Sequence, residues 1–155
     1  MSKNNNGNWQ LIILGVIILF SFGLKMYYDY YWPKAQVKVE NQTLNVLVSD
    51  NLKHWIKGLG GRKDLGEYDG MVFLFPVAEQ HVIVMRDMQF PIDIVWVKNG
   101  EIVDMAPNVP LDAAKTEEEL TPYAARDVSD KVLEFRVGTI ERLRLKIGDK
   151  VVVTR

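Results

Sequence analysis

A chain of 155 residues, 48% of them hydrophobic, has the size and apolar content of one ordinary domain, or of one domain with an anchor. Its 19 Lys and Arg against 20 Asp and Glu leave a net charge of −1, which excludes the basic field that attracts nucleic acid and a single-sign interaction tail. The absence of cysteine excludes disulfides, thiolate metal sites, a cysteine nucleophile and a lipid-modified cysteine.

The first predicted element is hydrophobic. Leu11 to Leu24 reads LIILGVIILFSFGL without a charge. As a helix it is only ~21 Å long, short of the ~30 Å hydrocarbon core. Aromatic residues extend it, with Trp9 before the run and Tyr27, Tyr28, Tyr30, Tyr31 and Trp32 after it, and such side chains favour membrane interfaces. From Trp9 to Tyr31 a helix spans ~33 Å, enough to cross. Leu24, Lys25, Met26 and Tyr27 are too bulky for a signal-peptidase site, so an uncleaved signal anchor is expected rather than a cleaved signal. A buried core helix is disfavoured because the segment has no polar face. Lys3 and the α-amino group on one side nearly balance Lys25 and Lys34 on the other. The short tail before the helix and the whole domain after it place the N-terminus inside and the domain outside. Pro33 stops the helix. The expected organisation is a tail over residues 1–8, a transmembrane signal anchor over 9–32 and a β-rich soluble domain over 33–155.

Beyond Pro33, the segment QVKVENQTLNVLVS alternates at period two around Asn41-Gln42, which predicts a β-hairpin. Ser49 and Asp50 are N-cap residues for a short helix carrying Leu52, Trp55, Ile56 and Leu59, ended by Gly58. A glycine-rich loop follows from Gly58 to Gly66. Gly70–Phe75, closed by Pro76, and His81–Met85 read as strands apolar on both faces, at a sheet centre or between layers. In IDIVWVKNGEIVDMA, Asn99-Gly100 is a favoured two-residue hairpin turn that pairs Lys98 with Glu101. Counting back from it sets Trp96 against Val103, Ile94 against Met105 and Asp93 against Ala106. Pro107–Pro122 is a polar surface excursion. Lys131–Val137 alternates as a strand, Thr139 caps a short helix containing Ile140 and Leu143, and Gly148-Asp149 turns the chain into a last strand. The expected fold class is α+β and β-rich: a compact, mostly antiparallel, barrel-like sheet with two short helices, preceded by one transmembrane helix.

The blocks GLGGRKDL, GMVFLF, MRDMQFPIDIVWV with NGEIV, VLEFRVGTIERL and IGDKV, in that order and spacing, resemble the domain of unknown function 192 family over roughly Leu47 to Val153. The resemblance implies a compact β-rich domain, often exported or anchored in prokaryotic members. It carries over no activity and no catalytic residue. Where the family pattern tends to have methionine, an aromatic residue and a lysine-asparagine pair, this sequence has Gly60, Val84 and Arg86-Asp87.

Four residues are candidates for ligand binding: Arg62, Arg86, Asp93 and Asp104. Asp93 shares a strand face with Val95 and Val97, so its carboxylate must reach solvent or find a partner. A structural pair with Arg86 or Arg62 is the favoured reading, with a ligand-binding or catalytic acid as the alternative. Asp104, placed opposite Val95, becomes a diagonal neighbour of Asp93, a spacing open to acid-base hydrolysis or a hard cation but common by chance on a solvated face. His54 and His81 are too few and too separate for a zinc motif, and His54 falls on the polar side of its helix. The glycine loop lacks phosphate-loop spacing, and Glu134 reads as solvated. No metal or cofactor is expected. The preferred function is an extracytoplasmic binding or accessory domain, held to the membrane by its helix, monomeric in its soluble part and contacting an envelope protein, peptide or glycan. A hydrolase or lyase using Asp93 with Asp104 or Arg86, and a structural part of an envelope complex, are the alternatives.

Overall fold

The computed structural model describes residues 6–155, apart from the side chains of residues 6–8 and 28–30. Lys3, and the side chains of Tyr28 and Tyr30 that enter the anchor argument, lie outside the described residues. The chain divides into two compact units at the junction of Trp32 and Pro33.

The first unit holds helix α1, Asn6–Tyr30. Its Trp9–Tyr27 stretch is long and apolar enough to cross a membrane, and none of it is buried. Leu11, Ile17, Leu19 and Phe20 are all exposed, as expected of a helix with no polar face.

The second unit is a seven-stranded curled sheet. Its strands are β1 (Lys34–Val39), β2 (Gln42–Ser49), β3 (Gly70–Glu79), β5 (Ile92–Lys98), β6 (Glu101–Val109), β8 (Ser129–Arg136) and β9 (Val151–Thr154), in the order β6-β5-β8-β3-β2-β1-β9. Every pairing is antiparallel except β2 with β3. That exception follows from the crossover between them, which contains α2 (Leu52–Lys57) and the glycine loop, because parallel neighbours require a long connection. The two edge strands meet at one end. Glu101 bridges Lys150, Ile102 N–H donates to Asp149, and Val151 N–H donates to the Gly100 carbonyl.

Curling gives the sheet an inside and an outside. The inside is packed with Val37, Val46, Val72, Val95, Leu133 and Phe135, and is plugged by Ile140 and Leu145 around helix α3 (Thr139–Leu143). On the outside Met71, Phe73, Ile94, Trp96 and Val132 are also buried, beneath α2, the glycine loop and the segment after β3. A second layer explains why β3 and β5 are apolar on both faces.

Several elements differ from the sequence expectation. The first hairpin turns at Glu40-Asn41, one residue early, with Glu40 at φ 51°. Helix α2 is capped by Asn51, whose side chain accepts from His54 N–H, rather than by Ser49 or Asp50. His54 is buried, not on a polar face, and Leu52 and Ile56 are exposed instead. Strand β3 runs on past Pro76. The strand expected at His81–Met85 shrinks to β4 (Val82–Ile83), which pairs only with β7 (Tyr123–Ala124) in a separate two-stranded sheet, leaving Val82 exposed. In the β5–β6 hairpin, Asn99 and Gly100 both have positive φ and Lys98 faces Glu101 as expected. A register shift then sets Trp96 against Asp104, Val95 against Met105 and Ile94 against Ala106.

Candidate functional site

Asp93 lies on the inner face of β5 and is completely buried. Its partners are backbone amides and not the arginines the sequence suggested: Asn108 N–H at 2.9 Å and Ile140 N–H at 2.8 Å. The second contact has a clear cause. Helix α3 begins at Gly138, which has no side chain to cap it, so Asp93 supplies the missing acceptor from another strand. Both carboxylate oxygens are thus occupied by structure.

Asp104 does not join Asp93. The register shift puts it opposite Trp96, and alternation along β5 puts Trp96 and Asp93 on opposite faces. Asp104 accepts from Arg126 at Nε (3.0 Å), at Nη2 (2.8 Å) and at its backbone N–H (2.8 Å). The Arg126 guanidinium holds the Asp104 carboxyl down at about 2. The hydrolytic pair proposed from sequence is therefore not assembled. Arg62 is partly buried in the glycine loop, and burial lowers its pKa.

Arg86 pairs with Glu117, which reaches it from the Pro107–Pro122 excursion, and donates to the Ile56 carbonyl at 3.2 Å. The excursion is itself ordered by Asp112, which accepts from Lys115 Nζ and from Thr121 N–H and Oγ1. Arg86 is thereby held at the rim of a cleft of 240 Å³ between α2, the start of the glycine loop and the β4 segment. Trp55, Ile56, Leu59, Phe73 and Ile83 contribute its apolar walls. Trp55 is fixed by donating Nε1–H to the Ser49 carbonyl, and its ring meets Phe75, which stacks in turn on Phe73 and His81.

Glu134 also lines this cleft. The strand alternation of KVLEFRV made it look solvated. It is buried, because its face of β8 is the outer face and the outer face is covered. Its Oε2 has no hydrogen-bond partner among the described residues. Burial alone pushes its carboxyl up to about 8. Val132, two residues earlier on the same face, was the one local signal that this face is covered.

Gly60, Val84 and Arg86, where the resemblance implied other residues, line the same cleft. Gly60 is closely packed. A Cβ there would stand 2.8 Å from the Arg86 carbonyl oxygen and 3.1 Å from that of Lys57, so a side chain requires the backbone to shift.

No curated protein matches the chain. Two solved structures share the fold. One is described as a putative transcription regulator from Sinorhizobium meliloti 1021, with a TM-score of 0.70 and 21% identity, over 79% of this chain and 95% of that one. The other is a protein of unknown function from Novosphingobium aromaticivorans DSM 12444, with a TM-score of 0.65 and 27% identity, over 78% of this chain and 84% of that one. The model of the DUF192 family, described as an uncharacterized ACR, matches residues 35–153, which is all of the curled sheet but its first and last residues. The chain belongs to the DUF192 family.

Proposed function

We propose that the chain is a membrane-tethered binding domain, held on the extracytoplasmic side by α1, with its ligand site in the cleft beside Glu134. The observation that carries the binding reading is Glu134 itself. A buried carboxyl oxygen without a partner costs stability, and here it borders an open cleft where an incoming group can satisfy it. The buried carboxylates Asp93 and Asp104 are already satisfied by the protein, and the unpartnered Oδ1 of Asp130 lies off the cleft lining. The apolar, unburied Trp9–Tyr27 stretch supports the tether.

The tether is tested with a single introduced cysteine, since the chain has none of its own. Full-length Lys146→Cys is expressed in a bacterial host and treated in intact cells with a membrane-impermeant maleimide. Carbonate-resistant membrane recovery and labelling before lysis are expected. Recovery in the soluble fraction refutes the tether, and labelling only after lysis refutes the orientation. For the cleft, the full chain in detergent micelles is titrated with small organic probes of different charge, read by amide and indole NMR shifts. Shifts confined to the surroundings of Trp55, Gly60 and Val84 are expected with at least one probe. No response to any probe refutes the binding reading.

A further inference from the structure

The shape and chemistry of the cleft restrict what it can hold. At 240 Å³ it lies below the ~300 Å³ at which sites for drug-sized ligands begin, so it suits one side chain better than a whole cofactor. Phe73 and Trp55 contribute aromatic surface beside Glu134, and aromatic faces are electron-rich and attract cations. Around them stand Ile56, Leu59, Val82 and Ile83, suited to a methylene stem.

Two cations share the cleft lining. Arg86 is neutralised by Glu117 and is held outward by that pair and by the Ile56 carbonyl. Lys57, on α2, is exposed, and its Nζ lies beside Gly61. Neither forms an ion pair or hydrogen bond with the unpartnered Glu134 oxygen, and burial is the cause of the Glu134 shift. The remaining charged groups on the covering elements face elsewhere or lie off the lining. His54 contacts Asn51 and Asp50, and Asp87 and Arg62 do not line the cleft. The acceptor beside the aromatic walls is therefore unopposed. An anion placed there meets a carboxyl group and electron-rich ring faces. An ammonium group meets both favourably and supplies the hydrogen bond that Oε2 lacks.

Resting on the cleft as the ligand site, we propose that it receives a lysine side chain from a peptide partner, with the ammonium group on Glu134 and the methylene stem against the apolar walls. No bond is made or broken. The carboxyl proton leaves to solvent as the ammonium enters, so binding is coupled to pH. Below about 8 the proton competes with the ligand, and affinity rises with pH. A protonated, neutral Glu134 donating to a carbonyl ligand gives the opposite trend.

The test uses the full chain in detergent micelles with three probes of matched length, n-butylamine, n-butanol and butyrate, followed by NMR at the Trp55 indole and Gly60 amide. Butylamine is expected to bind at least tenfold more tightly than the other two. Its affinity is expected to rise about tenfold per pH unit below 7 and to level off above about 8. Glu134→Gln is neutral and close in shape. It should abolish both the amine preference and the pH dependence, which assigns them to Glu134 rather than to Lys57 or Arg86. Butanol or butyrate binding as well as butylamine overturns the lysine proposal while leaving the cleft as a binding site. A wild-type amine affinity that is flat or falls with pH also overturns the proposal. Silence from all three probes overturns both readings. The probe comparison needs no variant, so it stands even where Glu134→Gln does not fold.

Discussion

Asp93 and Glu134 are both carboxyl groups in covered strands, yet they meet burial differently. Asp93 holds its place on two backbone N–H groups, one of them the uncapped start of α3. Asp93→Ala leaves the Ile140 N–H buried and unpaired, at ~1–3 kcal/mol, and takes the acceptor from the part-buried Asn108 N–H, at a smaller cost. The urea midpoint should therefore show a loss of ~2 kcal/mol or more, and Asp93→Asn, which keeps one acceptor oxygen, should lose less. A double-mutant cycle with Arg86→Ala should give a coupling near zero, because the two side chains have separate partners. A loss under ~0.5 kcal/mol would contradict the capping role. Glu134 instead has no donor on its Oε2, and burial keeps it neutral. Its folded pKa, about 8, lies above its ordinary 4.5. Between those two values the folded state keeps a proton that the unfolded state has lost. Stability is therefore greatest below 4.5 and falls as pH rises, by ~1.4 kcal/mol per pH unit across the window, then levels off above 8. Glu134→Gln should remove this slope and raise stability at pH 8. Equal slopes for wild type and variant in urea melts from pH 5 to 9 would contradict the buried-carboxyl assignment.

Elements were legible where a local rule acts alone. Asn99-Gly100 set its turn and the Lys98–Glu101 pair, because positive φ at both positions is a property of those two residues. The strand periodicities of β1, β2, β5 and β8 were equally visible. What followed the turn was not. A single register shift within the β5–β6 hairpin moved Asp104 to the opposite face from Asp93, and no residue type marks that shift. The cleft was illegible for a related reason. A second layer over the outer face decides whether Glu134 is solvated, and that layer is assembled from α2, the glycine loop and β4, which are far in sequence from β8. Local alternation reports which residues share a face, not what covers it. His81–Met85 failed in the opposite direction. Its apolar run suggested a central strand, but only Val82–Ile83 pair, and only with β7, while Trp96 takes the His81 carbonyl through its indole N–H.

At the scale of the whole molecule, the division at Trp32 and Pro33 separates two kinds of stability. Every residue of the inner core cluster lies between Ala35 and Val151, and the outer layer is built from the same part of the chain. The two solved structures with this fold cover a little under four fifths of the chain, and the family match begins at Ala35. Among the described residues of helix α1, none is in the buried core. In water its exposed Leu, Ile and Phe side chains oppose solubility without supporting the sheet. Residues 33–155, expressed alone, should therefore be soluble and should unfold in one cooperative thermal transition by circular dichroism. The Tm should lie within ~5 °C of the same transition in the full chain in detergent, since a difference of ~1 kcal/mol shifts a domain of this size by roughly that much. The comparison probes the edge of β1. Pro33 accepts from Val48 N–H and Lys34 opens the β1–β2 ladder, so both must survive removal of the preceding helix. A gradual, non-cooperative melt would mean that the helix is part of the fold. A sharp transition lowered by more than ~10 °C would place its contribution at the start of β1, and restoring residues 28–32 would then be expected to recover the difference.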